Sequence, residues 1–238
     1  DFFVEGSSSV AKKFNVPSLI IGMTIVAMGT SLPELAVSVT ASMTGNNTLA
    51  VSNVSGSNIF NLMVVCGACA LFAPLTIDKN TLLKEFPFSI LCAGLLVVLG
   101  FFGMSLGRID GVIFLVIFAA YLLWMIYSAK QARGAEDKLE TEEEEFVEEE
   151  IKILPMWKCI LFIVGGMVAI KFGGDFVVDG ASAIAAGFGL SQTLIGLTIV
   201  ALGTSLPELV TSIVAAKKNE VDMALGNVIG SNIFNILL

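Results

Sequence analysis

The chain has 238 residues, of which 55% are hydrophobic and only 14% charged, with a formal net charge of −8. Soluble domains carry about a quarter charged residues, so this composition indicates an integral membrane protein and argues against a soluble enzyme. The absence of histidine excludes His-based metal sites and His proton relays. Much of the negative charge lies in one run, Glu136 to Glu150, so the net value describes that segment rather than the whole protein.

Long, continuously apolar runs predict transmembrane helices, which need about 20 residues, rather than the alternating strands of a barrel. The predicted spans are a partial first helix at roughly 1–11, then 18–43, 48–73, 86–106, 110–128, 156–186, 192–215 and 222–238. Residues 129–155 predict a polar, acidic linker on the cytoplasmic side. This linker lacks the alternating Asp/Asn ligands and the central Gly of an EF-hand, so a solvated loop is the simpler interpretation.

Two sequence motifs, called phrases below, each occur twice in this chain. The segment 22–35 recurs as 196–209, and 53–61 recurs as 227–235, both at an offset of 174 residues. Five predicted spans make up one repeat unit, and because five is odd the second copy enters the membrane upside down. Loop Lys and Arg residues gather on one predicted side, which supports this threading, and Lys171 inside a span is the exception. An inverted-topology repeat is typical of secondary transporters.

The repeat also predicts the domain organisation. The first copy, 1–128, has two spans after its second phrase, whereas the second copy, 156–238, ends within the span that contains the equivalent phrase. We therefore expect an all-α, ten-helix parent protein built from two five-helix repeats, of which this chain covers about eight spans. We also expect residues 1–238 alone to be inactive in transport.

The first repeated phrase carries the chemistry. Pro33 has no N–H and clashes with the carbonyl four residues earlier, so the helix should kink there and free carbonyls such as that of Ala27. Thr30 and Ser31 lie four and three residues before Glu34 and share its helical face. A carboxylate inside a membrane segment is costly and is by default a functional-site hypothesis.

The second phrase adds an amide and another hydroxyl. Ser57 and Asn61 lie four residues apart on one face, and Gly56 should allow a close helix approach. The second copy supplies the equivalent residues Ala201, Thr204, Ser205, Glu208, Ser231 and Asn235. Small polar residues are often only packing devices in membrane helices, but duplication of a Glu beside a Pro argues against that interpretation. The all-oxygen set favours hard cations, Ca²⁺ or Na⁺, over Zn²⁺ or Cu⁺.

The doubled Gly-Thr-Ser-Leu-Pro-Glu and Gly-Ser-Asn-Ile-Phe-Asn motifs resemble the alpha-repeats of the calcium/cation antiporter superfamily, and in particular its prokaryotic sodium/calcium exchangers. The resemblance implies a multi-pass antiporter of the cell (inner) membrane, with Glu34 and Glu208 as the central ion-binding carboxylates. It also implies that the first span and 156–186 are sliding gate helices. The remaining ligands it implies are Thr30, Ser31, Ser57, Asn61, Thr204, Ser205, Ser231, Asn235 and the carbonyls of Ala27 and Ala201.

This resemblance implies Ca²⁺, Na⁺ and the lipid bilayer as partners, with no cofactor and no nucleic acid. Some members of the family carry Asp where this chain has Asn61 or Asn235, which leaves the sodium stoichiometry and potassium co-transport open. Proton/calcium antiport, a passive cation channel and a purely structural membrane protein also remain as alternatives. Glu34→Gln separates these, because only antiport should collapse completely.

Overall fold

The computed structural model describes residues 1–77, 79, 81–101, 106–139, 154–191, 199 and 201–238. Across these ranges the chain forms helices and turns and no strands. The helices are α1 (Phe2–Lys13), α2 (Ser18–Thr30), α3 (Leu32–Met43), α4 (Asn47–Phe72), α5 (Thr81–Phe101), α6 (Arg108–Leu139), α7 (Met156–Gly187), α8 (Ala201–Gly203), α9 (Leu206–Lys217) and α10 (Val221–Leu237).

Several of these helices can cross a bilayer. In the described part of the chain, α4, α5, α7 and the first 24 residues of α6 are long and apolar enough to do so, and α2 and α3 together form a bent fifth candidate. The α10 helix is apolar but shorter, with 17 residues. The predicted class, an all-α polytopic membrane protein, is confirmed, while the assignment of the segments to two inverted repeats stays a prediction.

One predicted boundary was wrong. The fourth span begins at Thr81 instead of 86, because the turn that contains Lys84 is already helical. The fifth span was predicted at 110–128 and the apolar part of α6 is Arg108–Gln131, while the helix itself continues to Leu139. Its last turns are rich in Ala, Gln, Lys and Glu, which are good helix formers even when charged. Helix therefore replaces the first part of the predicted linker, and residues 140–153 lie outside the described ones.

Three of the described helices contain π turns. Residues Gly22–Val26 form one inside α2, Asn61–Val65 form another inside α4, and Thr81–Glu85 form the first turn of α5. A π turn shifts the backbone hydrogen bond from i→i+4 to i→i+5, and it is frequent at functional sites. The turns in α2 and α4 lie in the repeated motifs, the first just before the Gly-Thr-Ser segment and the second beginning at Asn61.

The α10 helix is the centre of the bundle and packs closely against α2. A Cβ atom on Gly22 would lie 2.5 Å from the Met223 carbonyl oxygen, and one on Gly230 would lie 2.6 Å from the Met23 carbonyl oxygen. Only glycine allows two helix backbones to approach this far. This contact, together with α4, α5, α6 and α9 around it, buries almost every residue of α10.

Gly56 has no close neighbour among the described residues. A Cβ atom built on it would meet no described atom within 4 Å, whereas its repeat counterpart Gly230 is in tight contact with Met23 of α2. The second-copy counterpart of that α2 contact, around residue 197, lies outside the described residues. The close approach at Gly56 therefore stays a prediction.

A pair of peripheral helices, α1 and α7, lies against the bundle. Phe3 packs onto Gly166, where a Cβ atom would be 2.6 Å from the Cβ of Phe3, and the rings of Phe2 and Phe162 are 4.8 Å apart. Lys171, which did not fit the predicted threading, pairs with Asp175 one turn later on α7 at 2.7 Å. The pairing gives this lysine an opposite charge within its own helix.

Candidate ion-binding site

A break between α2 and α3 positions the first carboxylate. The two helices meet at Ser31 and bend by 49°, with Pro33 in the first turn of α3. Proline suits a first helical turn, where its missing N–H is not needed. The predicted kink is therefore present, and it places Glu34 inside the protein with 1% of its surface exposed.

The second copy repeats this construction. Thr204 and Ser205 form a turn between α8 and α9, and Pro207 lies in the first turn of α9. Glu208 follows it and is completely buried. The same local sequence has thus produced the same break, which is expected because proline acts mainly on its own turn.

Serine hydroxyls connect the two copies across the site. Ser31 Oγ donates to Glu208 Oε1 at 2.9 Å, and Ser205 Oγ donates to Glu34 Oε1 at 2.9 Å. Each bond joins one copy to the carboxylate of the other. The structure therefore brings the carboxylates of both copies into one cluster.

Several buried oxygens of this cluster have no hydrogen-bond partner among the described residues. They are Glu34 Oε2, Glu208 Oε2, Ser57 Oγ, Ser231 Oγ and Asn61 Oδ1. Leaving a polar atom buried without a partner costs about 1–3 kcal/mol, and more for a charged group. These carboxylate, hydroxyl and amide oxygens are ligands that suit a hard cation, and no imidazole or thiolate is among them.

The other predicted residues have protein partners as well. Thr30 donates to Asn227 Oδ1 at 3.1 Å, and Asn235 donates through Nδ2 to Asn58 Oδ1 at 3.3 Å. Asn235 and Glu34 border the same cavity of about 600 Å³. Two of the predicted ligands thus lie together at the edge of that cavity, one from each copy.

The two predicted carbonyl ligands differ in what is known of them. The Ala27 carbonyl was expected to be freed by the kink, but it accepts the Ser31 N–H at 3.0 Å and also lies 3.3 Å from Thr30 Oγ1. The expectation of a free carbonyl was therefore wrong. Ala201 is the first residue of α8, and its side chain lies outside the described ones.

Two asparagines that were not predicted as site residues hydrogen-bond to the main chain of the two glutamates. Asn53 Nδ2 donates to the main-chain oxygen of Glu34 at 3.1 Å, and Asn227 Nδ2 donates to that of Glu208 at 3.4 Å. Each also donates to a serine one turn further along, Ser38 or Ser212, at 3.0 and 2.9 Å. Their presence in both copies of the repeated phrase was the signal that could have identified them.

Comparisons with known proteins identify the family. The sequence matches the family described as sodium/calcium exchanger protein over residues 1–127 and 158–238. The chain belongs to the sodium/calcium exchanger family. The matched region includes both repeated motifs and leaves out the acidic segment.

Relatives and a solved structure of this exchanger family align along the whole chain. It is 46% identical to the putative antiporter CaxA of Alkalimonas amylolytica, covering 100% of this chain and 73% of the relative. It is 32% identical to the sodium/calcium exchanger MaX1 of Methanosarcina acetivorans, covering 100% and 76%. A solved structure of the sodium-calcium exchanger NCX_Mj, soaked with Na⁺ and Sr²⁺, superposes with a TM-score of 0.82 at 36% identity, covering 99% of this chain and 73% of that one.

Proposed function

We propose that this protein is a secondary active antiporter that exchanges Na⁺ for Ca²⁺ across the cell (inner) membrane by alternating access. The transported ions bind between Glu34 and Glu208, and the hydroxyl and amide oxygens around these residues complete the coordination of the ions. The acidic segment after α6 lies on the cytoplasmic side.

The cluster of partnerless buried oxygens carries this proposal. Each carboxylate uses Oε1 to accept a serine hydroxyl from the opposite copy and keeps Oε2 for an ion. Ca²⁺ takes six to eight oxygen ligands, including carboxylates and amide carbonyls, and this is the chemistry that the cluster offers. Among the described residues no group of three or more His, Cys, Asp or Glu side chains forms a metal site, so two carboxylates supply the charge of the cluster.

The number of charges explains why two cations would be exchanged for each other. Two ionised carboxylates balance one Ca²⁺ or two Na⁺. An empty site leaves both charges buried and close together, which is costly in a medium of low dielectric constant. The protein is therefore more stable with ions bound than without, and a change of access with an empty site is disfavoured.

The serine hydrogen bonds also couple ion binding to the contact between the two copies of the repeat. Ser31 holds the carboxylate of the second copy and Ser205 that of the first. An ion bound by both Oε2 atoms contacts both copies at once, so its arrival and departure act on how the halves fit together. The names of MaX1 and NCX_Mj as sodium/calcium exchangers support the choice of cargo.

Calcium uptake into proteoliposomes tests this function. Vesicles containing the full-length parent protein are loaded with Na⁺ and diluted into choline medium, and the entry of radioactive Ca²⁺ is followed. We expect uptake that requires the outward Na⁺ gradient and disappears in Glu34→Gln. Glu143→Gln serves as the matched control, because this glutamate lies in the acidic segment outside the residues that match the family.

Other outcomes assign the alternatives. Uptake driven only by a pH gradient identifies proton/calcium antiport, and uptake that also needs K⁺ identifies a potassium-dependent exchanger. Calcium flux without any counter-ion requirement identifies a passive channel. No flux and no Ca²⁺ binding contradicts the proposal altogether.

A further inference from the structure

We propose that Asn58 and Asn232 are positioning residues that turn the amides of Asn61 and Asn235 so that each presents its side-chain oxygen to the ion. The proposal rests on the proposed function, because it assigns a task within that same site. Asn58 and Asn232 occupy the same position in the two copies of the Gly-Ser-Asn-Ile-Phe-Asn phrase. They would select which atom of the ligand amide faces the cation.

Main-chain carbonyls fix the orientation of the two positioning residues. Asn58 Nδ2 donates to the main-chain oxygen of Asn232 at 3.1 Å, and Asn232 Nδ2 donates to the main-chain oxygen of Asn58 at 3.4 Å. A carbonyl oxygen can only accept, so the nitrogen of each amide must face it. The oxygen of each amide is then turned in the other direction.

These fixed oxygens in turn orient the ligand amides. Asn61 Nδ2 donates to Asn232 Oδ1 at 3.1 Å, and Asn235 Nδ2 donates to Asn58 Oδ1 at 3.3 Å. Because each acceptor is an amide oxygen, the nitrogen of Asn61 and of Asn235 is held toward the network. Both ligand oxygens are left pointing away from it.

The Asn61 side-chain oxygen is buried and available to an ion. Asn61 is fully buried, Asn232 is 2% exposed, and Asn61 Oδ1 has no hydrogen-bond partner among the described residues. Ser57, one turn before Asn61, has a partnerless hydroxyl as well. An amide that could rotate freely would offer a cation its NH₂ group half of the time, which would repel it. The network removes that alternative.

The same geometry discriminates between an amide and a carboxylate at positions 61 and 235. An ionised Asp in place of Asn61 would set one acceptor against another, Asn232 Oδ1, in a buried place. Asn58 and Asn232 therefore favour a hydrogen-bond donor at the ligand positions. In this chain both ligand positions hold amides that provide this donor, so the charge of the proposed site is that of the two glutamates.

A double-mutant cycle tests the proposal on the protein in detergent micelles. Ca²⁺ affinity is measured by titration, and the melting temperature without added ions is measured in parallel, for wild type, Asn61→Ala, Asn232→Ala and the double variant. We expect Asn232→Ala to weaken Ca²⁺ binding about tenfold, as loss of a partner that orients a metal ligand typically does. The double variant should bind Ca²⁺ within about twofold of Asn61→Ala, because Asn232 acts through Asn61.

The second copy provides an independent cycle with Asn58→Ala and Asn235→Ala, which decides the matter if Asn232→Ala does not fold. Asn46→Ala, at the exposed N-cap of α4, is the control and should leave Ca²⁺ affinity unchanged. Additive losses in both cycles, or unchanged affinity in the folded Asn58 and Asn232 variants, overturn the proposal. A wild-type protein that does not bind Ca²⁺ at all contradicts the proposed function instead.

Discussion

The second repeated phrase occurs in two very different surroundings. In α4 the side chain of Ile59 is 60% exposed, whereas its counterpart Ile233 in α10 is completely buried. Nevertheless the two copies make corresponding hydrogen bonds, including those of Asn53 and Asn227 to the glutamate carbonyls. The polar network of the site thus follows from the repeated sequence, whereas burial depends on which helices lie beside each copy.

The largest expected effect is the loss of a carboxylate, and it should be equal in both copies. Glu34→Gln and Glu208→Gln each remove a charged ligand from the buried cluster, which costs about 3 kcal/mol or more and corresponds to at least about a 100-fold loss of Ca²⁺ transport. Sodium-driven Ca²⁺ uptake measures the loss. A variant of one copy that keeps near-normal transport would mean that the two carboxylates do not share one site.

Replacing the glycine of the second repeated phrase by alanine should change the stability of the protein differently in the two copies. Gly230→Ala places a Cβ atom 2.6 Å from Met23 backbone atoms, and forcing such a contact typically costs about 1–3 kcal/mol. Gly56→Ala meets no described atom within 4 Å and should be neutral or stabilise the helix by about 0.5–1 kcal/mol. Melting temperatures of the two variants in the same detergent test this comparison. Equal destabilisation would show that Gly56 also has a close neighbour.

The supporting asparagines should differ by a smaller amount. Asn227 is completely buried and also accepts the Thr30 hydroxyl, whereas Asn53 is only partly buried. Asn227→Ala should therefore destabilise the protein by about 2 kcal/mol, and Asn53→Ala by about 1 kcal/mol. Chemical denaturation monitored by tryptophan fluorescence can compare them. The reverse order would mean that burial does not set the value of these bonds.

The smallest effect concerns the end of α9. The Lys217 ammonium lies 4.3 Å from the centre of the Phe72 ring, and its counterpart at the end of α3, Met43, is 83% exposed. Lys217→Met should lower the stability by about 0.5–1 kcal/mol through the lost cation–π contact. Met43→Lys, the opposite exchange, should leave the melting temperature unchanged. A stabilising effect of Met43→Lys would reveal an aromatic or acidic partner near that position.

The sequence was sufficient to predict the features that depend on local chemistry. The break before Pro33 and the clustering of Glu34 with Glu208 followed from the conformational limits of proline and from the constant repeat offset. The packing of Gly56 depends on a second helix that the glycine itself does not specify, and it stays a prediction. The carbonyl of Ala27 was assigned wrongly for a similar reason, since the turn at Ser31 supplies a new donor to it.

The hydrogen-bond partners of the asparagine side chains also could not be predicted from the sequence. Asn58 and Asn232 stood in the repeated phrase, but each could have bonded to lipid-facing backbone, to another helix or to the ion. Only the crossing of α4 and α10 decides that they bond to each other's main chain. The early start of α5 was missed because Lys84 looks like a loop residue, although a charged side chain fits well in a first helical turn near the membrane surface.

The π turn in α2 has a mechanical consequence. Helices kink at prolines and at π turns, and the short segment Ala27–Thr30 lies between this π turn and the break before Pro33. Ile25 lies in the turn, and its counterpart Ile199 has the same π conformation. Each copy therefore has an irregular helical residue nine positions before its buried glutamate.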